Sequence, residues 1–371
     1  MALALTQAAT AGRGMLVGAA EDSPEQPDLT LAVTKMDLAR VGGLGAIRLT
    51  AQWLPGRTAP TEQQLNDLHN ATDAAALDGI EVYLSVYQPG SRTTPLTSRA
   101  RRQFAAFTAA LARELPTVHR FIVGNEPNLN RFWLPQFKRN RSAAPAAYEK
   151  LLATTYDAVK RVSRRIQVIG GALSPRGGDN PRARTPTHSP TRFILELGKA
   201  YRASGRKRPI MDAFSLHPYP ANSAQSPTRR HPHSTTITMG DYAKLTRLLE
   251  RAFRRTAQPG ARLPIVYAEF GVQSRIPPDK EDVYTNQDLP ASADAVSEAT
   301  QARYYRQALA LAYCQPTVRA FLIFHVVDEA DLGRWQSGLY YADDTPKSSL
   351  PAVRNAVIAT RDGTITRCGR R

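Results

Sequence analysis

Two glutamates of the sequence stand where a short apolar segment ends. In RFIVGNEPNLN, residues 120–130, the apolar run stops at Gly124 and is followed at once by Asn125 and Glu126. In PIVYAEF, Glu269 is the last residue but one. Two carboxyl groups that face each other can divide a reaction between them, one as proton donor and the other as nucleophile. Whether these two meet depends on the elements that position them.

Other polar and aromatic side chains also lie at or just after the ends of apolar segments. The second segment carries Arg48, with Trp53 just beyond it, and the third ends in Tyr87. The sixth ends in His217, with Tyr219 two residues later, and the eighth ends in His325, which is followed by Asp328, Glu329 and Trp335. An arginine beside a catalytic carboxylate favours its ionised form, and an exposed aromatic ring offers a ligand a stacking face. Each residue also has a structural alternative, such as an interior ion pair for Arg48 or a core position for His217. We interpret Asp328 and Glu329 as loop scaffold.

The chain alternates between short apolar runs and amphipathic helical patterns. The apolar runs are residues 14–20, 46–50, 80–87, 120–126, 166–174, 210–217, 264–270 and 318–325, and the helical patterns are residues 30–41, 61–78, 98–115, 143–165, 190–204, 241–256, 292–314 and 348–360. Uninterrupted apolar runs are typical of parallel strands that are covered on both faces. Eight such units predict an α/β fold, a single (β/α)8 TIM barrel. An open doubly wound sheet is the alternative, although no GxGxxG motif follows the first strand.

Three predicted connections are long and rich in proline and arginine: residues 175–189, 218–240 and 271–291. In a barrel all three emerge on the C-terminal face, where such folds build active sites. No Gly- or Ser-rich linker divides the chain, so we predict one catalytic domain over residues 1–371. Within it, residues 1–13 are expected to be a flexible N-terminal lead and residues 361–371 a C-terminal tail.

The charge balance of the chain is strongly basic. Among 371 residues, 49 are Lys or Arg and 32 are Asp or Glu, giving a net charge of +17 and a pI near 10.2. Such a balance fits nucleic-acid binding, but the arginines are scattered and no recognition motif accompanies them, so we do not expect it. Attraction to an anionic polymer or cell surface through the summed field stays open. No run reaches the roughly 20 apolar residues of a membrane span.

The histidines and cysteines indicate neither a metal site nor a redox motif. His231 and His233 form HPH, but they lie in a predicted loop rather than on a strand, so we expect no metal and no cofactor. Cys314 ends a predicted helix and Cys368 follows the last one. Both places fall on the bottom face of a barrel, so we predict that the two cysteines form a disulfide. A disulfide and a start that lacks an intact signal peptide fit an exported protein whose leader has been removed.

The ordered set of strand-end residues resembles glycoside hydrolase clan A. The resemblance rests on Asn125-Glu126-Pro127 after the fourth strand, Glu269 on the seventh, an arginine on the second and HPY after the sixth. The stretch GLYYADDTPKSSLPAV also resembles the usual close of these proteins, and the likeness covers essentially the whole chain. The clan comprises retaining β-glycosidases on (β/α)8 barrels, among them the cellulase-like family 5 and the xylosidase-like family 39.

The resemblance implies a role for each matching residue. Glu126 matches the general acid/base, Glu269 the nucleophile, Asn125 the group that binds the sugar 2-hydroxyl, Arg48 and Tyr219 the groups that hold the nucleophile, and His217 the histidine beside the acid/base. The sequence departs from the family pattern after the third strand, where Tyr87 stands near the place of an expected histidine. It departs again on the eighth, where His325 replaces a platform tryptophan, so Trp335 or Trp53 is expected to supply the stacking surface.

The resemblance therefore implies a retaining hydrolase of β-linked glycosides or polysaccharides with a carbohydrate substrate. Transglycosylation by the same residues stays open. A catalytically inactive carbohydrate-binding barrel is one alternative, but a pure binder needs neither Glu126 nor Glu269. A metal-dependent barrel hydrolase is another, yet VGAAED at the end of the first strand supplies no histidine ligand.

Overall fold

The computed structural model describes residues 12, 14–289 and 292–368 of the chain. Its main element is a sheet of eight parallel strands, each followed by a helix. The strands are β1 Leu16–Ala20, β2 Ala46–Gln52, β3 Glu81–Tyr87, β4 Arg120–Val123, β5 Gln167–Leu173, β6 Ala213–Leu216, β7 Ile265–Phe270 and β8 Val318–Phe324. The helices are α1 Leu29–Val41, α2 Glu62–Leu77, α3 Ser98–Glu114, α4 Ala144–Val162, α5 Pro190–Ala203, α6 Tyr242–Phe253, α7 Glu298–Tyr313 and α8 Leu350–Arg361.

The sheet closes on itself. Strand β1 pairs with β2 on one side and with β8 on the other, where Leu16 lies opposite Ala320 and Ala20 opposite Phe324. The strands follow one another around the ring in chain order. This closure confirms the predicted (β/α)8 barrel and rejects the open doubly wound sheet. None of the described helices is long and apolar enough to cross a membrane.

The apolar runs of the sequence fill two compartments of the core. Side chains of small to medium size fill the inside of the barrel, among them Ala46, Ile122, Ile169, Ala213, Val266, Ala268, Ala320 and Leu322. A larger cluster lies between the outside of the sheet and the helices. On α3, Phe104, Phe107 and Leu111 recur at helical spacing and are buried there, which is the stripe that an amphipathic surface helix presents to its sheet.

Helix boundaries follow the capping residues. Ser189 accepts a hydrogen bond from the backbone N–H of Arg192, and Pro190 occupies the first helical position of α5. Helix α7 begins six residues later than the sequence pattern predicts, because Ser297 caps it by accepting from Thr300 N–H. Residues 292–297 therefore belong to the preceding loop.

Five long connections, not three, rise from the C-terminal face of the barrel. Besides those after β5, β6 and β7, residues 124–143 after β4 and 325–349 after β8 are long. The connection after β4 contains a small antiparallel hairpin that pairs Phe137–Lys138 with Arg141–Ser142. The sequence analysis did not select either of them, although residues 127–142 separate the fourth apolar run from the next helical pattern and residues 326–347 separate the eighth run from the last one.

The bottom face of the barrel carries the disulfide. Cys314 caps the end of α7 and is bonded to Cys368 beyond α8, with 5.4 Å between the Cα atoms, which confirms the predicted bond. In the tail from residue 362 to 368, Ile365 packs against the core. The predicted N-terminal lead, apart from Gly12, and residues 369–371 lie outside the described residues.

We predict that the disulfide contributes stability without acting on the cleft. It spans 54 residues, and chain-entropy reasoning gives an upper value of about 4 kcal/mol for a loop of this size. The Cys314→Ser/Cys368→Ser variant should therefore unfold at lower denaturant concentration, as should the reduced wild type, while the reductant leaves the variant unchanged. Two free thiols in the mass of the unreduced protein would contradict the bond.

Candidate active site

The strand-end residues line a cleft of about 960 Å³ at the C-terminal face of the barrel. Of the residues predicted from sequence, Arg48, Tyr87, Asn125, Glu126, Tyr219, Glu269, His325, Glu329 and Trp335 border it. Both glutamates are thus brought into one cleft from opposite parts of the chain. The floor of the cleft contains Arg48 and Glu269, and the connections that follow the strands form its walls and carry its other charged groups.

Glu269 is held by three neighbours on the floor of the cleft. Arg48 Nη1 donates to its Oε1 at 2.7 Å, and the Tyr219 hydroxyl donates to its Oε2 at 3.1 Å. His217 Nδ1 lies 3.3 Å from the same Oε2. Burial by itself raises the pKa of Glu269, but the charges of His217 and Arg48 and these hydrogen bonds outweigh it, so the pKa lies below its ordinary value. Glu269 is therefore anionic near neutral pH.

A β-bulge aims Glu269 into the barrel. Val266 and Ala268 face the interior, so strict alternation would turn Glu269 outward. The pairing of β7 with β8 slips by one residue, since Tyr267 lies opposite Phe321 and Phe270 opposite Ile323. The extra residue in β7 lets two successive side chains face inward, which is a common use of bulges beside active sites.

Glu126 stands on a backbone in the left-handed region. Its φ is 39°, and Gly124 before it has φ 85°. The Glu126 N–H donates to Ala172 O at 2.8 Å, where β5 itself bulges and Ala172 has φ 47°. A non-glycine residue in this region costs on the order of 1 kcal/mol and persists only where its surroundings enforce it. The carbonyl of the β5 bulge is one such constraint.

His217 lies between the two carboxyl groups and is fully buried. Its Nδ1 is 3.2 Å from Glu126 Oε1 and 3.3 Å from Glu269 Oε2. These two carboxyl oxygens are therefore no more than about 6.5 Å apart. A single ring N–H facing both groups can donate to either, so His217 links the two carboxylates directly.

Two asparagines beside Glu126 have different surroundings. Asn125 borders the cleft, and its buried Oδ1 has no partner among the described residues, so it is free to accept from a ligand hydroxyl. Asn128, which sequence reasoning missed, is fully buried: its Nδ2 donates to the carbonyls of Ser174, Arg176 and His188, and its Oδ1 accepts from Ser174 N–H. It ties both ends of the β5–α5 connection to the segment that carries Glu126.

The predicted aromatic surfaces separate into those in the cleft and one outside it. The ring of Trp335 borders the cleft 5.1 Å from the ring of Tyr219, and Tyr87 lines the cleft near Arg48, with burial raising its pKa to about 12. Trp53 offers no stacking surface, because it is fully buried, donates its indole N–H to Arg57 O and packs on Phe104.

His325 borders the cleft at the end of β8, where its Nδ1 is 2.9 Å from Ala20 O. This contact makes Nδ1 the donor, and the buried Nε2 has no hydrogen-bond partner among the described residues. Glu21 and Asp22, which sequence reasoning did not select, also line the cleft at the end of β1. Glu21 fixes the chain after His325 by accepting from the N–H groups of residues 326 and 327.

Asp328 belongs to the scaffold, as the sequence interpretation had it. It forms a fully buried ion pair with Lys347 at 2.7 Å and accepts from the Tyr284 hydroxyl and from Gly338 N–H. Lys347 also donates to Ser274 Oγ. This cluster joins the connections after β7 and β8. Glu329, by contrast, borders the cleft and pairs with Arg334 at 3.3 Å.

The histidines of the HPH segment contribute to no metal centre in the described part of the chain. His231 Nδ1 lies 3.0 Å from Asp241 Oδ2, which places it in a helix-capping cluster instead. Over residues 12, 14–289 and 292–368, no group of three or more His, Cys, Asp or Glu side chains is arranged to hold a metal ion.

Comparison with known proteins relates the fold to glycoside hydrolases. No protein-family model and no curated protein matches the sequence. Similar solved structures include GH5_18 from Streptomyces cattleya in complex with Manb1-4GlcNAc, at 18% identity over 96% of this chain and 83% of that chain, with a TM-score of 0.62. A GH39 β-xylosidase from Caulobacter crescentus is 18% identical over 92% and 71%, with a TM-score of 0.56.

A family 1 β-glucosidase from Thermotoga maritima is also similar, at 12% identity over 94% of this chain and 98% of that chain, with a TM-score of 0.61. At these identities the likeness concerns the fold alone. The chain has the TIM-barrel fold of the clan A glycoside hydrolases, in agreement with the resemblance in its sequence.

We predict that breaking the buried ion pair destabilises the protein. The Lys347→Met variant leaves Asp328 charged and without its cation, which costs about 3–5 kcal/mol. Denaturant unfolding measures the loss. The matched control is Lys199→Met, because Lys199 is exposed and lies 3.6 Å from Glu196, and its loss should change stability by less than about 0.5 kcal/mol. Adding Asp328→Asn to the first variant should restore part of the loss; equal effects at Lys347 and Lys199 would contradict the assignment.

We predict that Arg48 keeps Glu269 ionised. A carboxylate with a lowered pKa stays charged as pH falls below the usual glutamate range, so the Arg48→Met variant should protonate Glu269 at higher pH than the wild type. Carbon-13 NMR of labelled glutamate carboxyls, with the Glu269 signal assigned from a Glu269→Gln variant, measures the shift. Arg40→Met, which removes a surface partner of Asp37, should leave the Glu269 titration unchanged. An unshifted titration in Arg48→Met would refute the role.

Proposed function

We propose that the protein is a retaining β-glycosidase in which Glu269 is the nucleophile and Glu126 the general acid/base. The observation that carries the proposal is the shared contact of both carboxyl groups with His217 Nδ1, at 3.2 and 3.3 Å. The resulting upper limit of about 6.5 Å between these two oxygens includes the retaining separation of roughly 5–5.5 Å and reaches only the lower end of the inverting range, roughly 6.5–9.5 Å.

The two carboxyl groups differ in their surroundings in the way that such a mechanism needs. Glu269 receives hydrogen bonds from Arg48 and Tyr219, and its lowered pKa keeps it anionic and ready to attack. Glu126 has no arginine or lysine in hydrogen-bond contact among the described residues, and His217 is its ionisable neighbour. A carboxylate held by a buried guanidinium and a tyrosine hydroxyl suits a nucleophile, and a carboxyl group without an arginine or lysine contact suits a proton donor.

The reaction proceeds in two displacements. A Glu269 oxygen attacks the anomeric carbon as the bond to the leaving oxygen breaks, and Glu126 gives its proton to that oxygen. Glu126, now a carboxylate, then removes a proton from water, which attacks the anomeric carbon and expels Glu269. Both transition states resemble an oxocarbenium ion, so the nearby negative charge of Glu269 stabilises them.

Other cleft residues have binding roles in this proposal. The unpartnered Oδ1 of Asn125 accepts a hydrogen bond from a sugar hydroxyl next to the reacting carbon. The ring of Trp335 provides an apolar face for a pyranose ring. Tyr219 orients Glu269, and burial together with the charges of Glu269 and Glu126 holds its pKa well above the ordinary value, so it remains a donor.

The disulfide supports a further proposal about where the protein works. Stable disulfides form in oxidising compartments, and Cys314 is bonded to Cys368. We propose that the protein is exported and acts on carbohydrate outside the cytoplasm. Isolation of the protein from the medium or envelope fraction, with the bond already formed, is the expected result.

We predict distinct defects when the two glutamates are replaced. Glu269→Ala should lose nearly all turnover, because no covalent intermediate forms. Glu126→Ala should lose about 100-fold or more on glycosides with poor leaving groups, yet far less on activated aryl glycosides that scarcely need protonation. Rates on a panel of aryl β-glycosides measure both effects. Glu196→Ala on the outer helix α5 is the control, and it should retain wild-type rates.

Azide assigns the roles by stereochemistry. In Glu126→Ala, azide should attack the glycosyl-enzyme and give the β-glycosyl azide; in Glu269→Ala, it should replace the nucleophile and give the α-azide. NMR of the products distinguishes the anomers. The opposite pattern would exchange the two roles, and an inverted anomer from the wild-type enzyme would rule out the retaining mechanism.

A further inference from the structure

The charged groups of the cleft are divided between its two sides. The connections after β1, β7 and β8 contribute acidic residues to the lining: Glu21, Asp22, Asp294, Glu329 and Asp331. The connections after β4, β5 and β6 contribute a single carboxyl group, that of Glu126 itself, and two arginines, Arg131 and Arg176. The side of the cleft that holds the proton donor is therefore basic.

These two arginines differ from the other arginines of the cleft. Arg48 is paired with Glu269 and Arg334 with Glu329, whereas Arg131 and Arg176 form no ion pair with any described residue. Desolvation in the cleft lowers the pKa of Arg176, and the charge of Glu126 only partly offsets it. Two arginines without an ion-pair partner among the described residues thus line the same side of the cleft.

Arg176 is fixed in position rather than left as a free surface side chain. Its Nη1 donates to Pro220 O at 2.8 Å and to Tyr219 O at 3.3 Å. Its own carbonyl accepts from the fully buried Asn128. The edge formed by Nε and Nη2 makes no hydrogen bond to the described residues, and such a guanidinium edge fits a carboxylate or sulfate through two parallel hydrogen bonds.

Arg131 and Phe132 continue the same surface. The guanidinium of Arg131 lies over the ring of Phe132, 5.4 Å from its centroid, and both residues border the cleft. Gln88 Nε2 donates a hydrogen bond to the Phe132 carbonyl oxygen at 2.7 Å. The Phe132 ring offers a ring-shaped ligand an apolar face, and the guanidinium of Arg131 beside it offers the negative charge of that ligand a partner.

The position of Arg131, Phe132 and Arg176 relative to Glu126 determines which part of a substrate these residues contact. Glu126 protonates the oxygen that joins the sugar to its leaving group, so the leaving group begins within hydrogen-bond reach of Glu126, on the Glu126 side of the cleft. Arg131 and Arg176 stand on that side, and the acidic residues stand on the other. We propose that the cleft selects β-glycosides whose leaving group carries an anionic substituent, a carboxylate or sulfate, through Arg176 and Arg131. This inference rests on the proposed glycosidase function and adds the substrate class.

The test compares leaving groups that differ in charge but not in shape. A panel of 4-nitrophenyl β-glycosides identifies the accepted sugar, and the enzyme is then given the 3-hydroxybenzoate and 3-hydroxybenzamide glycosides of that sugar. The ratio of kcat/KM for the anionic to the neutral substrate should fall about tenfold in Arg176→Gln, and in Arg131→Gln, mainly through KM. Intrinsic differences in leaving-group reactivity cancel, because the same ratio is compared between proteins.

Three controls sharpen the result. Arg334→Gln removes a paired arginine on the opposite side of the cleft, so its ratio should stay within about twofold of wild type. Arg176→Lys keeps the charge but not the planar edge and should retain part of the preference. Raising NaCl from about 0.05 to 0.5 M should lower the wild-type ratio toward that of the variants.

A third glycoside, of 3-hydroxybenzenesulfonate, distinguishes a sulfate-like from a carboxylate preference. The preferred anion is the one whose kcat/KM ratio to the neutral substrate falls more in Arg176→Gln.

The outcomes separate this inference from the proposed function. Cleavage of both glycosides with a ratio that neither Arg176→Gln nor Arg131→Gln changes would overturn the anionic leaving group and leave the glycosidase intact. An equal fall of the kcat/KM ratio in Arg334→Gln would show that the ratio depends only on the total charge of the cleft. That result would also overturn the proposed selection by Arg176 and Arg131. No cleavage of any glycoside by the wild type would reject the glycosidase and the inference together.

Discussion

The buried ion pair between Arg48 and Glu269 is the interaction on which the floor of the cleft depends. Both side chains are almost withdrawn from water, and a charge in such a place is costly unless a partner and further hydrogen bonds satisfy it. The partners come from β2 and β7, which are not neighbours in the sheet. The pair therefore spans the barrel interior and forms only when the sheet closes. Closure of the barrel and ionisation of Glu269 are consequences of one arrangement, which is why His217 and Tyr219 can be placed so closely around the same carboxylate.

Regular strand geometry would not produce this arrangement. An unbroken β7 would turn Glu269 away from Arg48, and the bulge that corrects its direction lies between Tyr267 and Phe270. The backbone of Glu126, just beyond the end of β4, is also irregular. Its left-handed conformation is stabilised by a hydrogen bond to the carbonyl of Ala172, which lies in a second bulge. The positive φ of Glu126 costs backbone energy, and both irregularities occur at residues that contact His217. The departures from regular strand geometry thus coincide with the two carboxyl groups of the cleft.

The barrel could be predicted from sequence because continuous apolar strands alternating with amphipathic helices leave few other architectures. Most of the residues that line the cleft could also be predicted, because parallel strands in a barrel all end on one face, where Arg48, Glu126, Tyr219 and Glu269 meet. The packing of individual side chains could not be predicted from the sequence. Trp53 directly follows Gln52, which lines the cleft, but packs on Phe104, and nothing in its local sequence distinguishes the two directions. Asn128 was missed because a polar residue in a loop looks solvated until the carbonyls around it are known. The separation of acidic and basic residues onto opposite sides of the cleft depends on which loops become neighbours. The sequences of the loops do not show which loops will be neighbours.

Two buried polar clusters explain how long connections can form a defined cleft. Loops of this length would sample many shapes if only surface contacts held them, but Asn128 joins both ends of the connection after β5, and the Asp328–Lys347 pair joins those after β7 and β8. Each cluster satisfies its own polar groups without using Glu126 or Glu269. The walls are therefore shaped before a ligand arrives, and binding does not have to supply the free energy of ordering them. Because wall and floor are stabilised by separate interactions, residues such as Arg131 can differ without disturbing Glu269, so substrate preference can change while the reaction stays the same.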